Sequence, residues 1–124
     1  MAKTILLVDD QELIIRVVQA ALKPLRADIL SAKSGVEAIS IIESRGAPDA
    51  IILDFSMPDL DGVETLRRIR ELPQGGAIPV LMLTMRDQTS IREAARGLQV
   101  FDFMTKPFSP SSLQQTVAKM LGEA

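Results

Sequence analysis

Five short apolar runs, separated by segments whose apolar residues recur at helical spacing, predict an α/β sandwich of parallel strands joined by right-handed crossovers. Two observations refine that expectation. The runs starting at Ile5, Ala50 and Val80 are apolar throughout, as strands covered on both faces must be, while those at Asp28 and Val100 are mixed and suit the edges. The second strand is therefore expected outside the first, and the fifth at the opposite edge.

Ile5-Leu6-Leu7-Val8 stops at Asp9-Asp10, after which Ile14, Val17, Val18, Ala21 and Leu22 form a helical repeat. Asp10 is a candidate cap for that helix, and Pro24 should end or bend it. Asp28-Ile29-Leu30-Ser31-Ala32 is the weaker second strand. Ser34 and Glu37 have capping-box spacing and open a second helix with Val36, Ile39 and Ile42 on its apolar stripe, broken at Gly46-Ala47-Pro48.

The third strand ends at Asp54. Pro58 and Gly62 shape the loop that follows, Gly62 by tolerating backbone angles that other residues avoid, and Asp61 with Glu64 resembles the start of a capped helix. That helix turns Val63, Leu66 and Ile69 inward, leaving Arg67, Arg68 and Arg70 as a solvated face. Pro73-Gln74-Gly75-Gly76 is a turn, and Val80-Leu81-Met82-Leu83 is a strand ending at Thr84. Asp87 is placed to cap a fourth helix carrying Ile91, Ala94, Ala95 and Leu98. Val100 to Met104 alternates as an edge strand, and Ser109-Pro110 opens a last helix with Leu113, Val117, Met120 and Leu121 inward.

A chain of 124 residues, 47% hydrophobic and 24% charged, fits one folded domain spanning 1–124. No run approaches the roughly 20 apolar residues of a membrane helix, and residues 1–8 lack the features of a secretory signal, so a cytoplasmic location is expected. With no cysteine and no histidine, thiol catalysis, a histidine base and a phosphohistidine carried by this chain are all excluded. A net charge of −2 without a dense basic run argues against direct nucleic-acid binding.

In open parallel sheets ligands gather beyond the carboxyl ends of the strands. Asp9, Asp10, Asp54, Thr84 and Lys106 are all expected at that edge. Two unit charges about 4 Å apart repel by on the order of 4 kcal/mol at an effective dielectric of 20, so clustered carboxylates need compensation. Mg²⁺ supplies it through oxygen ligands, Lys106 adds a compact cation for an oxyanion, and Thr84 adds a hydroxyl donor. This set suits phosphoryl transfer onto a carboxylate.

Asp9-Asp10, Asp54 with Pro58 and Gly62, Thr84, and Thr105-Lys106-Pro107-Phe108 together resemble a response-regulator receiver domain across essentially the whole chain. The resemblance implies a flavodoxin-like, five-stranded parallel sheet of order 2-1-3-4-5 with helices on both faces. It implies that Asp54 accepts a phosphoryl group from the phosphohistidine of a sensor histidine kinase or histidine phosphotransfer protein. The chain would catalyse its own phosphorylation and slow dephosphorylation. Mg²⁺ would be held by Asp10, Asp54 and the Ser56 main-chain carbonyl, with Asp9 acting mainly through water. Lys106, across a cis bond to Pro107, would pair with the phosphoryl group. Thr84 and Phe103 would form the switch, Ser56 and Arg86 would tune acyl-phosphate lifetime, and the fourth helix, fifth strand and fifth helix would present a surface to a downstream protein. The chain would be a monomer or a phosphorylation-dependent dimer, and its end at Ala124 leads us to expect a stand-alone regulator without an output domain.

Two features depart from that pattern. Met85 stands where a small residue is typical and is expected to narrow access to Asp54, and Gln99-Val100 replaces a common Gly-Ala pair. Both favour the alternative of a receiver-fold interaction module with little phosphorylation. A dehalogenase-type phosphatase would need a second Asp where Ser56 stands, and a flavin carrier would need a phosphate loop after Val8 that is missing.

Overall fold

Strand side chains point alternately to opposite faces, so an unbroken apolar run is stable only where both faces are covered. The computed structural model, which describes residues 2–85 and 88–122, meets that condition. The chain runs β1 (Thr4–Val8), α1 (Glu12–Leu22), a 3₁₀ turn (Lys23–Leu25), β2 (Asp28–Ala32), α2 (Gly35–Arg45), β3 (Ala50–Asp54), α3 (Gly62–Glu71), β4 (Val80–Thr84), α4 (Gln88–Ala94), β5 (Asp102–Thr105) and α5 (Pro110–Met120). All strand pairs are parallel, in the order β2-β1-β3-β4-β5. The fold class and both edges are as the sequence implies.

Each central strand feeds two cores. Leu6, Ile51, Leu53 and Met82 face the layer containing Ala38, Ile42, Leu66 and Ile91, whereas Ile5, Leu7, Ile52 and Leu81 face Val18, Leu22, Leu113 and Val117. The register that brings Leu6 beside Ile51 and Leu53 beside Met82 keeps each set on its own side. Burying one such side chain contributes about 1.5–3 kcal/mol, so a one-residue slip would be prohibitive. The carboxyl ends of β1, β3 and β4 are thereby fixed side by side.

The helix starts follow local chemistry with some departures. Ser34 accepts the Glu37 N–H at 3.0 Å, but Glu37 reaches back to the Lys33 N–H, one residue before the cap. Asp61 caps α3 through the Glu64 N–H at 2.8 Å, while the Glu64 carboxylate turns to Arg67 and Arg68. Ser109 caps α5, with Pro110 in its first turn. Asp10 caps nothing. Because α1 begins at Glu12, Gln11 is its cap residue, and no side chain bonds there. The expected cap Asp87 lies outside the described residues.

The inward stripes are shifted in two helices. Ile15 rather than Ile14 is buried with Val18 and Leu22 in α1, and Val36 is exposed while Gly35, Ala38 and Ile42 face the core in α2. In α4 the buried side chain is Ile91, and Ala94 is exposed. Apolar spacing alone does not fix the phase of a short helix when neighbouring positions on both sides of the stripe are apolar. Gly62 is required for a different reason from the one expected. Its φ is not left-handed, but a Cβ there would stand 2.8 Å from the Asp54 carbonyl oxygen and from the Phe55 Cα.

Arg70 is not part of a solvated face. Its guanidinium is half-buried and donates to the carbonyls of Leu98 (2.9 Å), Gly75 (2.9 Å) and Gln99 (3.1 Å), pinning the α4–β5 turn to the end of α3. Gln99 sits at φ 59°, a left-handed conformation that glycine adopts freely. That accounts for why a glycine at this position is the easier choice. A non-glycine residue there costs about 1–2 kcal/mol, partly offset by the roughly 0.4–1 kcal/mol that glycine loses through unfolded-state freedom. We expect Gln99→Gly to raise folding stability by about 0.5–1 kcal/mol at unchanged m-value in urea unfolding; a loss of stability would show that the Gln99 side chain contributes more than its backbone costs.

Candidate functional site

Four strands deliver their last residues to one edge. β1 ends at Val8 and hands Asp9 to the cleft; β3 ends at Asp54; β4 ends at Thr84; β5 ends at Thr105 and hands over Lys106. Backbone bonds fix these exits, since the Phe55 N–H donates to the Leu83 carbonyl and the Lys106 N–H to the Thr84 carbonyl, each at 2.8 Å. The Lys106-Pro107 peptide bond is cis.

Asp9, Asp10 and Asp54 can each present a carboxylate oxygen within 4.8 Å of the others. Asp9 is fully buried and Asp54 is 4% exposed. Lys106 answers both: its Nζ lies 3.0 Å from Asp9 Oδ2 and 3.1 Å from Asp54 Oδ1, with a side chain only 7% exposed. Asp9 Oδ1 accepts the Gln11 N–H at 2.9 Å, so both of its oxygens are engaged. Asp10 is exposed, and its carboxylate pairs with no described residue. One ammonium among three carboxylates leaves negative charge over, and the donors are all oxygens. A hard divalent cation fits that set, with Asp10 and Asp54 the oxygens best placed to bind it directly.

Burial, and then the neighbouring Asp9 charge, push the Asp54 carboxyl above its ordinary value of 3.8; the Lys106 ammonium and the Ser56 N–H oppose this without cancelling it. Thr84 is buried at the same edge, 1% exposed. Ser56 lies exposed on the β3–α3 loop. Phe103 is half-buried on β5 against the α2–α4 core, with the Arg92 guanidinium 4.4 Å from its ring centroid. From the same helix, Gln88 Nε2 donates to Thr105 Oγ1 at 2.8 Å and its Oε1 accepts from Arg92 at 3.1 Å. Met85 follows β4 at a bend and is 74% exposed. Arg86 lies outside the described residues. The Gln11 N–H, the Arg92 contact and a bond from Asp59 to α2 carry no sequence signal, because each joins residues that only the fold brings together.

A family model described as the response regulator receiver domain matches residues 5–118. The chain belongs to that family. Among curated relatives, the alkaline phosphatase synthesis transcriptional regulatory protein PhoP of Bacillus subtilis is 38% identical over 98% of this chain and 49% of its own length. The receiver thus spans about half the length of such relatives. Among solved structures, the chemotaxis protein CheY4 of Vibrio cholerae superposes with a TM-score of 0.90 at 27% identity, covering 98% of this chain and 100% of that one. The receiver domain of the sensor histidine kinase PA1611 from Pseudomonas aeruginosa, with a magnesium ion coordinated in its active-site cleft, gives 0.87 at 30% identity, covering 99% and 100%.

In this receiver the cost of the acidic cleft should be measurable. A carboxyl whose folded pKa is raised binds its proton more tightly folded than unfolded, so ionising it lowers stability. That penalty is absent below pH 3.8, grows as pH climbs toward the raised folded value, and is complete above it. With EDTA present, Asp54→Asn should therefore be more stable than wild type at pH 7, the advantage disappearing on acidification below the ordinary carboxylate pKa. Thermal melts across that range check it, and an advantage independent of pH would contradict it.

Proposed function

We propose that this receiver domain is a phosphorylation-controlled signalling module in which Asp54 accepts a phosphoryl group from the phosphohistidine of a sensor histidine kinase or histidine phosphotransfer protein. The observation that carries the proposal is the buried Lys106 ammonium bridging Asp9 and Asp54 within the cluster of three carboxylates. A purely structural ion pair would need one carboxylate, and the second and third add only repulsion. Their presence is accounted for if the cleft handles a cation and an anionic ligand.

Asp54 attacks phosphorus through a carboxylate oxygen, forming the acyl–phosphate P–O bond as the P–N bond to the donor imidazole breaks, and the leaving imidazole keeps the electron pair of that bond. When bound, Mg²⁺ supplies charge neutralisation for the phosphoryl oxygens. Asp10, Asp54 and the Ser56 carbonyl would hold it directly, and Asp9, both of whose oxygens are already engaged, would act through water. Lys106, 3.1 Å from Asp54 Oδ1, is placed to pair with the phosphoryl group that replaces that carboxylate's charge. Thr84 donates its hydroxyl to the same group.

The consequence is carried by α4, β5 and α5. Phe103 is held under Arg92, and Thr105 under Gln88, so a change at Thr84 or Lys106 is felt by the contacts between α4 and β5. A partner that binds one arrangement better shifts the population toward it. A module with little phosphorylation draws no support from Gln99, which precedes β5 and so lies at the end of that strand away from the cleft.

Incubation with Mg²⁺ and acetyl phosphate, followed by intact mass measurement, tests the proposal. Wild type should gain one phosphoryl group, Asp54→Asn and EDTA-treated wild type should gain none, and Lys106→Met should slow the gain by about a hundredfold to a thousandfold. A mass gain that survives Asp54→Asn would place the chemistry elsewhere.

A further inference from the structure

In the middle of the β3–α3 loop Met57 is half-buried against the core, while Ser56, Pro58 and Asp59 are exposed. The two ends of the loop are fixed by polar contacts, the Gly62 N–H donating to the Phe55 carbonyl at 2.7 Å and Asp61 capping α3. Asp59 ties down the middle. Its Oδ1 accepts the Gly35 N–H at 3.1 Å and its Oδ2 the Val36 N–H at 3.0 Å. These are the first two N–H groups of α2, which no helix can satisfy internally, and Ser34 takes the next. A carboxylate from a separate loop thus completes the cap, where the helix dipole also favours its charge.

The geometry of that tie is tightly set. A Cβ at Gly35 would collide with the Thr65 hydroxyl of α3 and lie 3.1 Å from the Leu60 Cβ of the loop. The start of α2, the loop and α3 are therefore in direct contact, with Thr65 Oγ1 buried and without a hydrogen-bond partner among the described residues. A helix cap made from within α2 would have left the loop alone. This one couples the helix to the segment that carries Ser56.

We infer that Asp59 is a positioning residue for the Asp54 site: by fastening the loop to the N-terminus of α2 it holds the Ser56 backbone where it serves the cation and the Asp54 carboxylate. The inference rests on the phosphoryl-acceptor reading above. Without the tie both loop ends stay anchored, but the Ser56 carbonyl is averaged over more positions. The loss then falls on metal binding and rate.

The test compares Mg²⁺ titrations and Mg²⁺-dependent phosphorylation by acetyl phosphate in wild type, Asp59→Ala, Asp59→Asn and Ser34→Ala. Ser34→Ala removes a cap from the same helix end without touching the loop. Asp59→Ala should weaken Mg²⁺ binding by about tenfold, the loss typical of groups that orient metal ligands, and should slow phosphorylation below saturating Mg²⁺. Asp59→Asn, which keeps one acceptor, should fall between, and Ser34→Ala should match wild type in both despite a lower melting temperature. Wild-type Mg²⁺ affinity in Asp59→Ala, or an equal loss in Ser34→Ala, overturns the inference while leaving Asp54 phosphorylation standing. If Asp59→Ala does not fold, Asp59→Asn decides by the same criterion. A wild type that neither binds Mg²⁺ nor gains a phosphoryl group overturns the acceptor reading and this inference together.

Discussion

Two buried carboxylates, Asp9 and Asp54, share one buried ammonium, and much of the structure serves to keep the three together. Removing a charge from water costs several kcal/mol even after relaxation, and losing one partner of a buried pair leaves the other uncompensated. Lys106 has to arrive from the far side of β4 to meet Asp9 just past the end of β1. It does so because β5 stays in register with β4 up to Thr84 and Thr105, and because the Lys106 N–H is bonded to the Thr84 carbonyl. The apolar sheet beneath is what makes that span rigid.

The same cleft opposes its own stability. Asp54 is held where ionisation is unfavourable, and a third carboxylate, Asp10, is added at the mouth with no described partner. Such concentrations of unfavourable charge are characteristic of sites shaped by function rather than by folding. Around it, polar contacts from separate elements hold the loops. Asp59 joins the β3–α3 loop to α2, Arg70 joins the α4–β5 turn to α3, and Gln88 joins α4 to β5. These bonds set the positions of segments that have little core of their own.

What could be read from the sequence follows this division. The strands at Ile5, Ala50 and Val80 were legible because burial on both faces demands unbroken apolar runs, and their abrupt polar ends placed Asp9, Asp54 and Thr84 at one edge. Ser34, Asp61 and Ser109 were legible as caps because a cap acts within its own turn. Arg70 was not: three arginines on one helix look alike in sequence, and only the arrival of the Leu98 and Gln99 carbonyls distinguishes the one that is half-buried. The phases of α1 and α2 are not legible for a related reason, since Ile14, Ile15 and Val36 are equally apolar and packing selects among them. Asp10 failed as a cap because helix α1 starts one residue later than that role requires.

The proposed chemistry of the cleft depends on Asp54 being the phosphoryl acceptor. Its most direct test is to phosphorylate the protein in Mg²⁺, reduce it with borohydride, and map the peptides by tandem mass spectrometry. Borohydride converts an aspartyl phosphate to homoserine and leaves free carboxylates alone. Homoserine is expected at position 54 and is absent when phosphodonor is omitted. Homoserine at Asp9 or Asp10 with Asp54 intact, or at no position in a chain that has gained the phosphoryl group, would contradict it.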